Sequence, residues 1–248
     1  MVADLTRSDV WRALLAGVGY AALCAAGSGL CYGIVRWLDA CTTPAWVRLR
    51  RWRAWPWLGE LAAAAVTLVY VGAMAQRGVL GSADLGLGAP TEMAWRWALG
   101  LGLGGALWLG LLVALALPRG ASVGAAHEGW SVWAVRALGR EAHTAIWRGA
   151  LMPWLGDYWG VWLAPLGALG TTLLSPMQRA ALTQDARRVG VLVGWALDWL
   201  GAALYLYTGS AWAAATGRAV CGVLVWGVAQ LCGRPRIVAT DDGAETDG

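Results

Sequence analysis

The stretch "LYLYTGSAWAAATGRAV", residues 204–220, decides how this chain is read. Two apolar runs meet at Thr208-Gly209-Ser210, residue types that let a backbone reverse within a few positions, and the second run carries Arg218 in its middle. A charge placed in hydrocarbon costs about 2.5 to 3.5 kcal/mol on insertion scales, so such an arginine has to face a bundle interior and find a partner there. The first run offers Asp198. Helices joined by so short a turn are antiparallel neighbours, and the rise per residue brings Asp198 and Arg218 to similar depth. An intramembrane Asp198 to Arg218 pair is therefore expected. A charged ligand or lipid headgroup at the same place is the alternative role for Arg218.

The composition agrees with a membrane setting. The 248 residues are 58% hydrophobic and 14% charged, against about 45 to 50% and about 25% for ordinary soluble domains. Lys, Asn and Phe are absent while Trp reaches 19 and Gly 35; the absent types share AT-rich codons, which points to a GC-rich bacterial source. All basic side chains are then arginines, and the net charge of +4 reflects their placement around a bilayer. No basic tract suggests a nucleic-acid partner. The five cysteines lack C-x-x-C or other metal-ligand spacing and read as small buried hydrophobes, so neither a metal nor a cofactor is expected.

About 20 apolar residues are needed to cross the hydrocarbon core. Seven stretches approach that length: 11–35, 58–76, 94–117, 141–155, 158–175, 189–207 and 211–231. The fold expected is an all-α, polytopic transmembrane bundle of about seven spans. Close Gly and Ala spacing, as in "LGLGLGGALWLG", suits helices that pack tightly in lipid. Arginine excess marks short cytoplasmic loops. Arg36, Arg48, Arg50, Arg51 and Arg53 then lie inside, the segment 77–93 outside, Arg119, Arg136 and Arg140 inside, "GDYWG" outside, Arg179, Arg187 and Arg188 inside, and "TGS" outside. This sets the N-terminus out and the C-terminus in the cytoplasm of a bacterial inner membrane.

Three further segments carry their own expectations. "PAWVRLRRWRAWPW" alternates Trp with Arg and reads as an interfacial segment or as ordinary topogenic charge. "EGWSVWAVRALGREAHTAIW", residues 128–147, has the spacing of an amphipathic helix lying on the inner face. The acidic end "ATDDGAETDG" reads as a disordered tail. The chain accordingly divides into three N-terminal spans (1–120), a four-helix membrane core (121–232) and the tail (233–248).

From Arg140 onward the order of features resembles the CPBP family, the CAAX-protease and bacteriocin-processing intramembrane proteases. The resemblance rests on Trp147-Arg148-Gly149-Ala150-Leu151, Leu174-Ser175-Pro176 and the Thr208-Gly209-Ser210-Ala211-Trp212 turn, and covers about residues 139–231. It implies a pocket built from a Glu-Glu-x-x-x-Arg motif, a histidine on the next helix and a His-x-x-x-Asn motif on the last. Carried over position by position, the glutamates fall on His143 and Thr144, the middle histidine on Leu173, and the last motif on Arg218 and Gly222. Only Arg148 is retained. A general base must reach its water with a suitable pKa, and Thr144, Leu173 and Gly222 supply none.

The leading expectation is a pseudoprotease: a non-catalytic scaffold that binds another integral membrane protein or complex within the lipid bilayer. An active protease with a relocated site is the alternative, with Glu141, His143 and Arg148 as candidate catalytic residues and His127 beside Glu128 as a second carboxylate and imidazole pair. Residues two apart on a helix, such as Glu141 and His143, point to different faces, which counts against that alternative. A transporter is a third reading, for which Arg148, Asp198 and Arg218 are the intramembrane charges.

Overall fold

The computed structural model describes residues 7–40, 55–81, 85–116, 130–183 and 185–232. The Trp/Arg segment, the acidic tail, His127 and Glu128 lie outside the described residues. The described residues form seven helices and no strand: α1 (Arg7–Ala40), α2 (Trp55–Gln76), α3 (Glu92–Ala116), α4 (Trp130–Leu174), α5 (Pro176–Leu182), α6 (Asp185–Thr208) and α7 (Ala211–Cys232). Among the described residues, four stretches are long and apolar enough to cross a membrane: Ser8–Ile34, Glu92–Leu115, Arg188–Thr208 and Ala211–Leu231. Leu61–Gln76 is a shorter apolar helix.

The α4 helix is two helices folded on each other. Gly156 has φ 77° and ψ 169°, a backbone region that a side chain disfavours, and the chain reverses there. Beyond it, a Cβ at Gly160 would lie 2.6 Å from Met152 Cα and one at Gly167 2.5 Å from the Trp147 ring. The Trp147 indole N–H donates to Thr171 Oγ1 at 3.0 Å. The turn read from "GDYWG" is thus present, with glycines where the two halves touch.

The second reversal is the one quoted at the outset. Gly209 takes φ 63° and its N–H donates to Tyr205 O at 2.7 Å, closing α6. Ser210 opens α7, its Oγ accepting from the Ala213 N–H at 3.4 Å, as an N-cap residue does. Without a hydrophobic force between helices in lipid, association depends on close packing and polar contacts. The glycines of α3 show how this is met. A Cβ at Gly102 would stand 2.9 Å from Gly217 O, and one at Gly105 3.1 Å from Leu200, whereas Gly100 and Gly104 face open space. One stripe of α3 therefore lies against α6 and α7.

One expectation is corrected. Residues 130–147 do not lie flat on a surface: Trp133 is 4% exposed and packs with Val193, Leu197, Cys221 and Val225. The apolar face that suggested a membrane surface instead meets α6 and α7, and the helix runs straight into the bundle. The connection read as an outer loop is turn and coil at its described residues, 77–81 and 85–91. Leu80 and Leu85 are buried against α1 and α4. Gly86 O accepts from Ala211 N–H at 2.9 Å and Leu87 O from the Trp212 indole at 3.3 Å. Residues 85–87 lie against the α6 to α7 turn and put a carbonyl, that of Leu85, within reach of the interior.

Candidate functional site: a buried ladder of charges

Helix periodicity places Arg140, Glu141, Thr144 and Arg148 on adjoining positions of one side of α4, and that side faces Asp198 on α6 and Arg218 on α7. Arg218 is fully buried. Its Nη1 donates to Asp198 Oδ1 at 3.0 Å, the partnership expected from the sequence, and its Nη2 donates to Thr144 Oγ1 at 3.0 Å and Asp198 O at 3.1 Å. Its Nε stands 3.2 Å from Glu141 Oε2; the two atoms are in charge contact but misaligned for a hydrogen bond.

The ladder extends in both directions. Arg140 Nη1 donates to Asp198 Oδ2 at 2.6 Å. Arg148 Nη1 donates to Glu141 Oε1 at 3.1 Å and Nη2 to Leu85 O at 3.1 Å. The Arg148 guanidinium also lies over the Tyr205 ring, 3.4 Å from its centroid, a cation–π contact that gains strength where water is excluded. Charges alternate along Arg140, Asp198, Arg218, Glu141 and Arg148. Each carboxylate is shared by two guanidiniums, and Thr144 relays the load by donating to Arg140 O at 2.6 Å.

Small residues make room for this. A Cβ at Gly201 would lie 1.8 Å from Arg218 Nε, and one at Gly194 2.5 Å from Arg140 Nη2. Both glycines face guanidinium groups, so α6 presents bare backbone where the arginines cross it.

The other residues expected at the family pocket divide. Thr144, Arg148 and Arg218 belong to the ladder, and Gly222 lines the same interior. His143 does not: its Nε2 lies 3.3 Å from Ala168 O and its Nδ1 2.6 Å from the Tyr20 hydroxyl. The carbonyl can only accept, so Nε2 carries a proton, and in a neutral ring Nδ1 then accepts from Tyr20. Tyr20 also lies 3.1 Å from Thr67 Oγ1, and this polar knot ties α1 and α2 to α4. Leu173 is 39% exposed and points away from the site. Glu141 and His143 thus face opposite ways, and no relocated Glu/His centre forms between them. Among the described residues no group of His, Cys, Asp and Glu could hold a metal ion.

Sequence reasoning missed the structural parts of Glu141 and Arg140. The signal was available in spacing, since Glu141 and Arg148 stand one heptad apart on α4 and so share a face. No family model matches the chain, and no curated protein or solved structure is significantly similar to it.

The sharing pattern sets an unequal response to mutation. Asp198→Leu strands Arg140 and Arg218 with Glu141 as the nearest buried carboxylate, and losing one member of a buried ionic set costs about 3 to 5 kcal/mol. Arg218→Leu leaves Arg140 with Asp198 and Arg148 with Glu141. Thermal unfolding in detergent is expected to show the larger loss for Asp198→Leu, with the double variant less destabilised than the sum of the singles. Additive losses would mean that the two side chains do not interact.

Proposed function

We propose that the chain is a non-catalytic, multi-pass protein of a bacterial inner membrane, a seven-span bundle whose interior is an ionic lock and which acts by binding another integral membrane protein. The observation that carries this reading is the state of the two buried carboxylates. Glu141 and Asp198 are the buried acidic residues among those described, and each is engaged by two arginines. A general base needs a lone pair aimed at a water or substrate; here both Asp198 oxygens and Glu141 Oε1 accept from guanidinium groups, and Glu141 Oε2 stands in charge contact with Arg218. The likeness to CPBP proteases fits as a likeness of scaffold. Thr144 and Arg218, standing where that resemblance expects acid and histidine, are hydrogen-bonded to each other across α4 and α7.

Seven spans follow if α2 and both halves of α4 join the four longer apolar helices. In support, the 85–87 segment and the α6 to α7 turn meet at one end of the bundle, the end that the arginine rule puts outside. Large rings on the outer faces, Trp108, Trp154 and Trp159 among them, suit contact with lipid or with a partner's helices.

Purified protein in detergent is expected to leave membrane-peptide substrates intact. Turnover that disappears in Glu141→Ala would overturn the non-catalytic reading. Single cysteines introduced at residue 88 and at residue 240 of a cysteine-free variant are expected to label from opposite sides of the membrane. Labelling from one side would contradict the seven-span topology.

A further inference from the structure

At the end of the ladder where α4 begins, a small cleft opens between α4, α6 and α7. Its walls include Trp133, Arg136, Arg140, Gly194, Arg218 and Gly222. Almost everything polar in those walls donates. Arg140 is 21% exposed at its side chain and spends Nη1 on Asp198; its remaining N–H groups make no hydrogen bond among the described residues. The Trp133 indole N–H is buried and unpartnered among the described residues, and a buried donor without an acceptor is costly to leave so. The Arg136 guanidinium lies over the Trp133 ring at 5.3 Å. Among the described residues, Asp198 accepts from both Arg140 and Arg218.

A wall of donors calls for a group that only accepts. Arginine's planar fork matches phosphate oxygens in geometry and charge, and the bare backbone of Gly194 against Arg140 keeps that fork pinned at the cleft. We infer that this cleft binds an anionic phosphate group, supplied by a phospholipid headgroup or by free phosphate, with Arg140 as the principal contact. The location suits a headgroup. The cleft lies at the bundle end opposite the α6 to α7 turn, the end to which basic residues and acidic inner-leaflet lipids are drawn. Occupancy would couple the ligand to the ladder through Asp198, because a phosphate at Arg140 competes with that carboxylate for the same guanidinium.

The experiment uses the full chain in a neutral detergent, with thermal midpoint read against added phosphatidylglycerol, phosphatidylcholine or inorganic phosphate. Phosphatidylglycerol is expected to raise the midpoint saturably and phosphatidylcholine not to. Arg140→Gln should weaken the phosphatidylglycerol response about tenfold or more, as loss of a charge-assisted hydrogen bond implies, and Arg140→Lys should restore part of it. A response to phosphatidylglycerol alone assigns the site to a lipid headgroup, and a response to inorganic phosphate alone assigns it to the free anion. Because Arg140→Gln also removes a partner of Asp198, native mass spectrometry on the same variants counts bound lipid independently of stability. A phosphatidylglycerol response with equal lipid retention by wild type and Arg140→Gln, an inorganic phosphate response that Arg140→Gln leaves unchanged, or no response to either phosphate source would overturn the inference.

Discussion

The guanidinium of Arg218 is the constraint around which the bundle is organised. It is fully buried in α7, a helix with no other charged residue, where an unpaired charge would not be tolerated. Two carboxylates from two other helices, a threonine hydroxyl and a backbone carbonyl surround it. Meeting those demands fixes the rotation of α4, α6 and α7 about their axes, since a turned helix would withdraw Glu141, Thr144 or Asp198. The requirement also spreads. Glu141 needs its second arginine, Arg148 needs the Leu85 carbonyl, and that carbonyl is held in place by a segment whose Leu80 and Leu85 are buried among α1, α2 and α4. A polar demand in the middle of the molecule is thereby met by a connection at its end.

Buried ionic sets are weak evidence for net stability, because well-packed apolar residues can do as well, and their better-attested use is to specify one arrangement over others. That distinction matters for helices in lipid. Apolar faces of such helices are nearly interchangeable, and small-residue contacts like Gly102 against Gly217 permit close approach without fixing which helix approaches. An alternating set of five charges does fix it, since rotating or exchanging a helix leaves like charges together. In this account the ladder supplies specificity and the glycines supply proximity. The same ion pairing that makes the interior specific holds both carboxylates against guanidinium groups, which is why the scaffold reading is preferred to a hydrolytic one.

Much of this was legible in the residues, for identifiable reasons. The turns at Gly156 and Gly209 carry local signals, glycine beside residues that end or cap helices, and needed no knowledge of the rest of the chain. The Asp198 to Arg218 pair was legible because a short turn fixes the depth of both partners. The ion pairs of Glu141 were not foreseen because its partners come from a distant helix and from the same face of its own, and because residues 128–147 look like a surface helix when the burying face of α6 and α7 is not in view. The course of residues 85–87 could not be foreseen at all. It depends on two leucines being drawn into a space that three other helices create, and no local periodicity encodes that space.

The central claim is that Arg148 and Arg218 are sealed within the bundle by their carboxylate partners. Arginine-specific modification of the folded protein by phenylglyoxal, read residue by residue by mass spectrometry, tests it most directly. Arg96, whose side chain is 71% exposed, should react readily. Arg148 and Arg218, each 1% exposed at the side chain, should stay unmodified until the protein unfolds. Modification of Arg218 in the folded protein at a rate comparable to Arg96 would contradict the account.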